Sequence, residues 1–502
     1  MIHRPIHAPT NPICGEADAT VPGRALRRAT ALGLALVLGT LAGCSGSSSE
    51  PKSKGSGQGQ TKAGVPVRLP VPKPFDVENG WSTSAAPEAA DTEAGSSGFP
   101  LVAVAAKSGL VVKAEPNGSR VQALSLTSGK TAWTFNAKAL KGARTGVFVQ
   151  STRSGEKVIL ARQGKTSDSG LNKARGAVTV DIISADAPAK AAAVHHLDLV
   201  APTNTVASFT ATDSGFMVGS VDKGIHERSI VVDPMTGKQS SITAKTVTVP
   251  DCGSGSCNVA ASPAFSTSAG VVTAFQQSSG CDEWDQGGEP CTYGFRVGNW
   301  SSTTVAPPGM HVGVPLGVSG RHLVAAWKQS SSQTDQPTMS DDNKTIIAVH
   351  DLLTGRIQAK AECSSADSLI LQPGSAQSST HTSPNGRYLV SGQVGFELGA
   401  GRGHCFSSTS AAKGVDLTAV GNDGTAYGIV HVKDETDAAS LYGCLPIAEP
   451  GTNTPERDTA RVSLREGKKT ALPAAAEAPV YLAADGRGVF RTNNVLATYS
   501  VS

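Results

Sequence analysis

The stretch SGLVVKAEPNGSRVQALSLTSGKTAWTF, residues 108–135, holds three strand-like runs divided by glycines at 109, 118 and 129. Apolar and polar positions alternate as on a half-buried sheet face, and each glycine marks a turn. The pattern predicts three consecutive antiparallel strands joined tightly. Working outward, a glycine that follows a small residue, Asp or Asn and opens a β-run recurs along the chain. It opens SGEKVILA (Gly155), SGFMVGS (Gly215), AGVVTAF (Gly270), SGRHLVAAW (Gly320), NGRYLVSG (Gly386), DGTAYGIV (Gly424) and DGRGVFRT (Gly486). With Gly109 these make eight markers, 38 to 66 residues apart and about 54 on average. That interval suits one small sheet per repeat.

A second signal lies inside the intervals. ALSLTSGKTAW (123–133), VVDPMTGKQSS (231–241) and AVHDLLTGRIQ (348–358) each run a strand into Thr/Ser-Gly-Lys/Arg, with glycine at 129, 237 or 355. Glycine there supplies the positive φ that turns one strand into the next. ALSLTSGKTAW resembles the repeat of PQQ-type β-propellers, with Ala123, Gly129 and Trp133 at that family's Ala, Gly and Trp. Ser125 stands where the family carries Asp; Asp233 and Asp351 restore it in the later copies, which lack the Trp. NGRYLV also suits WD-type propellers. The resemblance implies a fold, not quinone chemistry. Dehydrogenases of that family carry adjacent cysteines beside the quinone, and this chain has no such pair. Its five tryptophans (81, 133, 284, 300, 327) sit in no cofactor-like context, and no cofactor is expected.

A four-stranded blade cannot cover both of its faces alone, whereas a ring of blades covers them and leaves short edges. After Gly486 only enough chain remains for about two strands. The proline-rich arm VPVRLPVPKPFDVENGWS, residues 65–82, excludes a helix and suits an extended or edge strand. The expectation is an all-β propeller at 98–502 with eight four-stranded blades, closed by the N-terminal segment. Seven blades is the next arrangement, and an irregular pair of β-sandwiches competes with both.

The chain begins differently. Arg24, Arg27 and Arg28 precede an apolar run at 31–41, shorter than the roughly 20 residues of a membrane-spanning helix. The run fits the core of a secretory signal and ends in Leu41-Ala42-Gly43-Cys44. These four residues resemble the lipobox of bacterial lipoproteins. That resemblance implies diacylglyceryl transfer to the Cys44 thiol, cleavage of residues 1–43, and anchoring at the extracytoplasmic face of the cell membrane. Residues 44–64 are a Gly/Ser-rich flexible tether, and 65–97 are the arm and an Ala/Ser/Glu-rich spacer. The net charge is +3; removing 1–43, with four arginines and two acids, leaves +1. That balance gives no case for nucleic acid or for a polybasic membrane patch.

Export permits disulfides. Cys281 and Cys291 bracket CDEWDQGGEPC, and Cys252 and Cys257 close PDCGSGSC; both are expected to pair. Among Cys363, Cys405 and Cys444 one is odd, with Cys363–Cys405 the preferred bond. Asp282, Glu283, Asp285 and Glu289 supply oxygen ligands but miss the regular Ca²⁺-loop spacing, so a solvated hairpin is expected. Neighbours His195 and His196 would face opposite sides of a strand and share no metal. SGKT at 128–131 lacks the glycine a phosphate loop needs at 124, which is Leu. Neither HExxH nor GxSxG occurs, and no catalytic residue or metal site is assigned. The expected function is a lipid-anchored, non-catalytic binding or scaffold protein with a protein or small-ligand partner. The alternative is an extracytoplasmic or carbohydrate-active enzyme whose site is built from dispersed loop residues.

Overall fold

In the computed structural model, the stretch at 108–135 forms Leu110–Ala114, Arg120–Ser125 and Thr131–Asn136. Val102–Ala105 precedes them, and the four pair in chain order as one antiparallel sheet, blade 1. The structure describes residues 68–85, 99–138, 140–166, 176–199, 206–222, 225–243, 258–278, 292–310, 312–328, 345–363, 380–409, 412–430, 458–492 and 494–502. All of them belong to one unit, Ala63–Ser502.

Blades 2, 3, 4 and 7 occupy 141–199, 206–243, 258–301 and 415–471, each four strands in chain order. Blades 5 and 6, at 312–363 and 380–405, are two four-stranded halves of one eight-stranded sheet. Blade 8 takes Tyr481–Leu482, Gly488–Arg491 and Val495–Val501 from the end of the chain, and Phe75–Ser84 from the beginning as its fourth strand. Every marker glycine, from Gly109 to Gly486, lies at the turn between the first and second strands of its own blade. This is the eight-bladed ring closed by the N-terminal arm.

First strands of successive blades pack side by side, so they surround the axis. Apolar clusters fill the seams between neighbouring blades, each made of side chains from two sheets. The last joins Ala483, Val489 and Leu496 of blade 8 to Val111, Leu124 and Leu126 of blade 1. Leu69 and Phe75 of the arm are buried between blades 7 and 8, and the Leu69 amide donates to the Tyr499 hydroxyl at 3.2 Å.

Large rings on fourth strands dock five of the eight seams. Trp133 Nε1 donates to the Ala185 carbonyl (2.7 Å), Trp300 to Leu352 (2.9 Å) and Trp81 to Leu126 (3.0 Å), each in the next blade. The turn glycines receive these rings. A Cβ on Gly129 would stand 2.6 Å from the Trp81 indole, and one on Gly355 2.8 Å from Trp300. With φ of +66° and +72°, these glycines serve both backbone turn and ring contact. Gly237 and Gly467 receive His195 and His404 in the same manner. Gly467, in SLREGKK, is thus a fourth copy of the second signal, and the four copies fall in blades 1, 3, 5 and 7. Gly215 departs from the other markers: its φ is not positive, and a Cβ would collide with the Ser266 carbonyl of blade 4.

The seam between blades 5 and 6 is built otherwise. Four residues past its turn glycine blade 1 has Trp133, whereas blade 5 has Ala359. The fourth strands Ile357–Cys363 and Arg402–Cys405 meet edge to edge, Lys360 opposite Arg402. Cys363 and Cys405 form a disulfide there, with Cα atoms 5.6 Å apart.

Candidate functional site

Antiparallel blades put all first-to-second and third-to-fourth turns at one end of the ring. This turn face has only short connections, the longest at 185–192. The opposite face carries the second-to-third and blade-to-blade connections. From it depart 244–257, 279–291, 329–344, 364–379 and 431–457, which lie outside the described residues. Cys252, Cys257, Cys281, Cys291, Cys444 and the acids Asp282, Glu283, Asp285 and Glu289 all fall within those segments. Leu41-Ala42-Gly43-Cys44 also lies outside the described residues.

At the turn face, polar groups near the axis link neighbouring blades. Ser108 N donates to Glu156 Oε2 (2.8 Å), Ser151 N to the Asp213 carbonyl (2.8 Å) and Ser268 N to Ser214 Oγ (2.9 Å). Around the other half, Thr382 Oγ1 donates to Ser319 Oγ (2.8 Å), Asn385 N to Asn422 Oδ1 (2.9 Å) and Asn422 Nδ2 to the Ala484 carbonyl (3.2 Å). Asp213 links blade 3 to blade 5, accepting from Ser319 Oγ and the Gly320 amide. Tyr481 faces the same region. Burial, with the Glu156, Asp213 and Asp485 carboxylates nearby, pushes its hydroxyl up to about 12. Glu156 and Asp213 accept hydrogen bonds that hold turns of neighbouring blades in place. No group of three or more His, Cys, Asp or Glu side chains able to hold a metal occurs among the described residues.

The histidines divide by face, as strand alternation requires. His195 Nε2 donates to the Met235 carbonyl (2.9 Å) in the neighbouring blade, whereas His196 Nδ1 meets Asp181 Oδ1 at 2.6 Å within its own. Asp181 also pairs with buried Arg162 at 2.7 Å. His350 is fully buried: Nδ1 donates to the Gly355 carbonyl (2.8 Å) while Nε2 accepts from Trp327 Nε1 (3.2 Å). Burial lowers the pKa of His350, and likewise of His322, His381 and His404. Each ring is harder to protonate in the fold than in the unfolded chain, whose imidazoles take up protons below about 6.5. Their stabilisation is complete above that value and declines as pH falls from there toward each ring's lowered value. The denaturation midpoint is therefore expected to be lower at pH 5.5 than at pH 7.5; equal midpoints would contradict this.

The acids of the second signal have a structural task. Asp351 Oδ1 accepts from the amides of Leu353 and Thr354 (both 3.1 Å), and Asp233 Oδ1 from Met235 (2.8 Å). In blade 1 Ser125 Oγ accepts from Ser128 N (3.2 Å), so serine replaces the acid with a weaker acceptor. SGKT at 128–131 is part of this turn.

Between blades 5 and 6 the turn face opens into a cleft of about 820 Å³, lined by Arg321, His322, Asp351, Arg356, Gln358 and Leu398 among others. Of these side chains the sequence singles out only Asp351, as the acid of the second signal. The available signal was that both marker glycines of blade 5 precede arginine, Gly320-Arg321 and Gly355-Arg356.

No protein-family model matches this chain, and no curated protein matches it. Among solved structures, it is similar to the WD40 domain of SCAP from fission yeast, at 9% identity and TM-score 0.31, over 80% of this chain and 84% of that one. Porphyromonas gingivalis dipeptidyl peptidase 4 matches at 10% identity and TM-score 0.39, over 81% of this chain and 58% of that one. The Neurospora crassa Pan2 WD40 domain matches at 10% and 0.30, over 84% and 96%. The propeller assignment rests on strand order and seam packing, not on these likenesses.

Proposed function

We propose that this chain is a lipid-anchored extracytoplasmic propeller that binds a partner through the face opposite its glycine turns and has no catalytic role. The difference between the two faces carries the reading. All the long connections leave from one end of the ring, while the other end is confined to short turns. Loops set on a rigid scaffold are where recognition residues accumulate, and the fold itself specifies no chemistry. Anchoring is supported by the lipobox ending in Cys44 and by the tether after it. No helix among the described residues is long and apolar enough to cross a membrane. Two acyl chains are enough for stable attachment, at about 0.8 kcal/mol per buried methylene.

A photo-crosslinking residue at position 285 or at position 130, in intact cells carrying Cys44 or Cys44→Ser, tests both parts. With Cys44 the protein is expected in the membrane fraction, giving a discrete adduct from 285 and none from 130. Cys44→Ser is expected to move it to the medium or to block its processing. Membrane retention of Cys44→Ser would end the anchor reading, and adducts from 130 alone would end the loop-face reading.

A further inference from the structure

We propose that the open end of the blade 5–6 seam binds an anionic group, a carboxylate or a phosphate, through Arg356 and Arg321. This is independent of the partner proposed for the opposite face.

The cleft lies at a seam where no ring docks. Trp81, Trp133, His195, Trp300 and His404 each cross a seam to the next blade's turn, whereas blades 3, 5 and 7 have Ser241, Ala359 and Ala471 at the equivalent position. Edge pairing and the Cys363–Cys405 bond close the outer side of this seam. Its turn-face end stays open, with about 820 Å³ between the blades. That volume accommodates a small ligand or a few residues of a peptide.

Charge decides which kind. The one acid in the lining, Asp351, is saturated. Besides the amides of Leu353 and Thr354, its carboxylate accepts from Thr354 Oγ1 (3.0 Å), Arg321 Nε (2.8 Å), Arg321 Nη2 and Gln358 Nε2 (3.4 Å). A carboxylate offers about four lone-pair sites, so Asp351 has none left for a cationic ligand. Its charge is matched by Arg321, whose side chain is 65% exposed and has Nη1 uncommitted among the described residues. Arg356 is exposed and has no ion pair among the described residues, so the lining carries one positive charge in excess. His322 in the wall is 9% exposed, and its Nδ1 has no partner. Leu398 and Ile357 add apolar surface to the lining. Guanidinium groups hold carboxylate and phosphate through paired N–H donors, which fits a ligand bearing either.

Calorimetric titration of the full chain with pentaglutamate and, separately, with tripolyphosphate tests this and tells the two sources apart. One probe is expected to bind saturably at one site per chain. Arg356→Ala should weaken it at least tenfold, and Leu398→Glu, which puts a like charge into the same cleft, should do so too. Lys130→Ala, at the corresponding turn of blade 1, should leave it unchanged. Saturable binding of neither probe would overturn the proposal, as would an unchanged affinity in both cleft variants. An equal loss in Lys130→Ala would also overturn it, since that indicates diffuse attraction.

Discussion

Deletion of residues 65–82 is expected to lower the melting midpoint by at least about 10 °C, or to abolish cooperative melting. The segment supplies most of the fourth strand of blade 8, whose register runs from Phe75 opposite Val501 to Ser84 opposite Val495. It buries Leu69 and Phe75 between blades 7 and 8 and sends the Trp81 indole to blade 1. Burial of Leu69 and Phe75 is worth roughly 3–6 kcal/mol at about 1.5–3 each, and the part-buried Trp81 adds to it. That is comparable with the whole stability of an ordinary domain, about 5–15 kcal/mol. The deletion also leaves Val495–Val501 as an unprotected edge, so aggregation should accompany the loss. A variant that melts like the parent would place ring closure elsewhere.

The second large effect is expected at Trp133. Its ring is 1% exposed, packs between blades 1 and 2, and bonds the Ala185 carbonyl. Trp133→Ala should cost about 3–5 kcal/mol through lost packing and the cavity left behind. Trp133→Phe retains much of the volume and loses chiefly the hydrogen bond, about 1 kcal/mol. Denaturant titration of the three proteins checks the order. Equal losses in the two variants would show that packing contributes little and the hydrogen bond most.

The repeat was legible because each blade needs one tight turn at the same place, and glycine marks it in all eight. Closure by the arm was legible because too little chain follows Gly486 and a proline-rich strand stood unassigned near the start. The docking of seams was harder to see. Trp133 looked like a conserved-type motif residue, but its acceptor, the Ala185 carbonyl, lies in the next blade and leaves no local signature. His195 and His404 take a tryptophan's slot without any resemblance in sequence. Ala359 was visible as a departure from the motif, yet its consequence depends on strands 42 residues apart at Cys363 and Cys405. The cleft at that seam, which needs both blades in place to exist, was therefore out of reach. What the opposite face grips has no linear motif to reveal it.

The most direct test of the closed ring is a cross-link between the two ends of the chain. Ser84 and Val495 stand opposite each other in the last pair of the closing strands. Ser84→Cys with Val495→Cys, oxidised in the folded protein and mapped by peptide mass spectrometry, should give a 84–495 disulfide within single chains. No 84–495 bond, or one found only between chains, would contradict the closed eight-bladed ring.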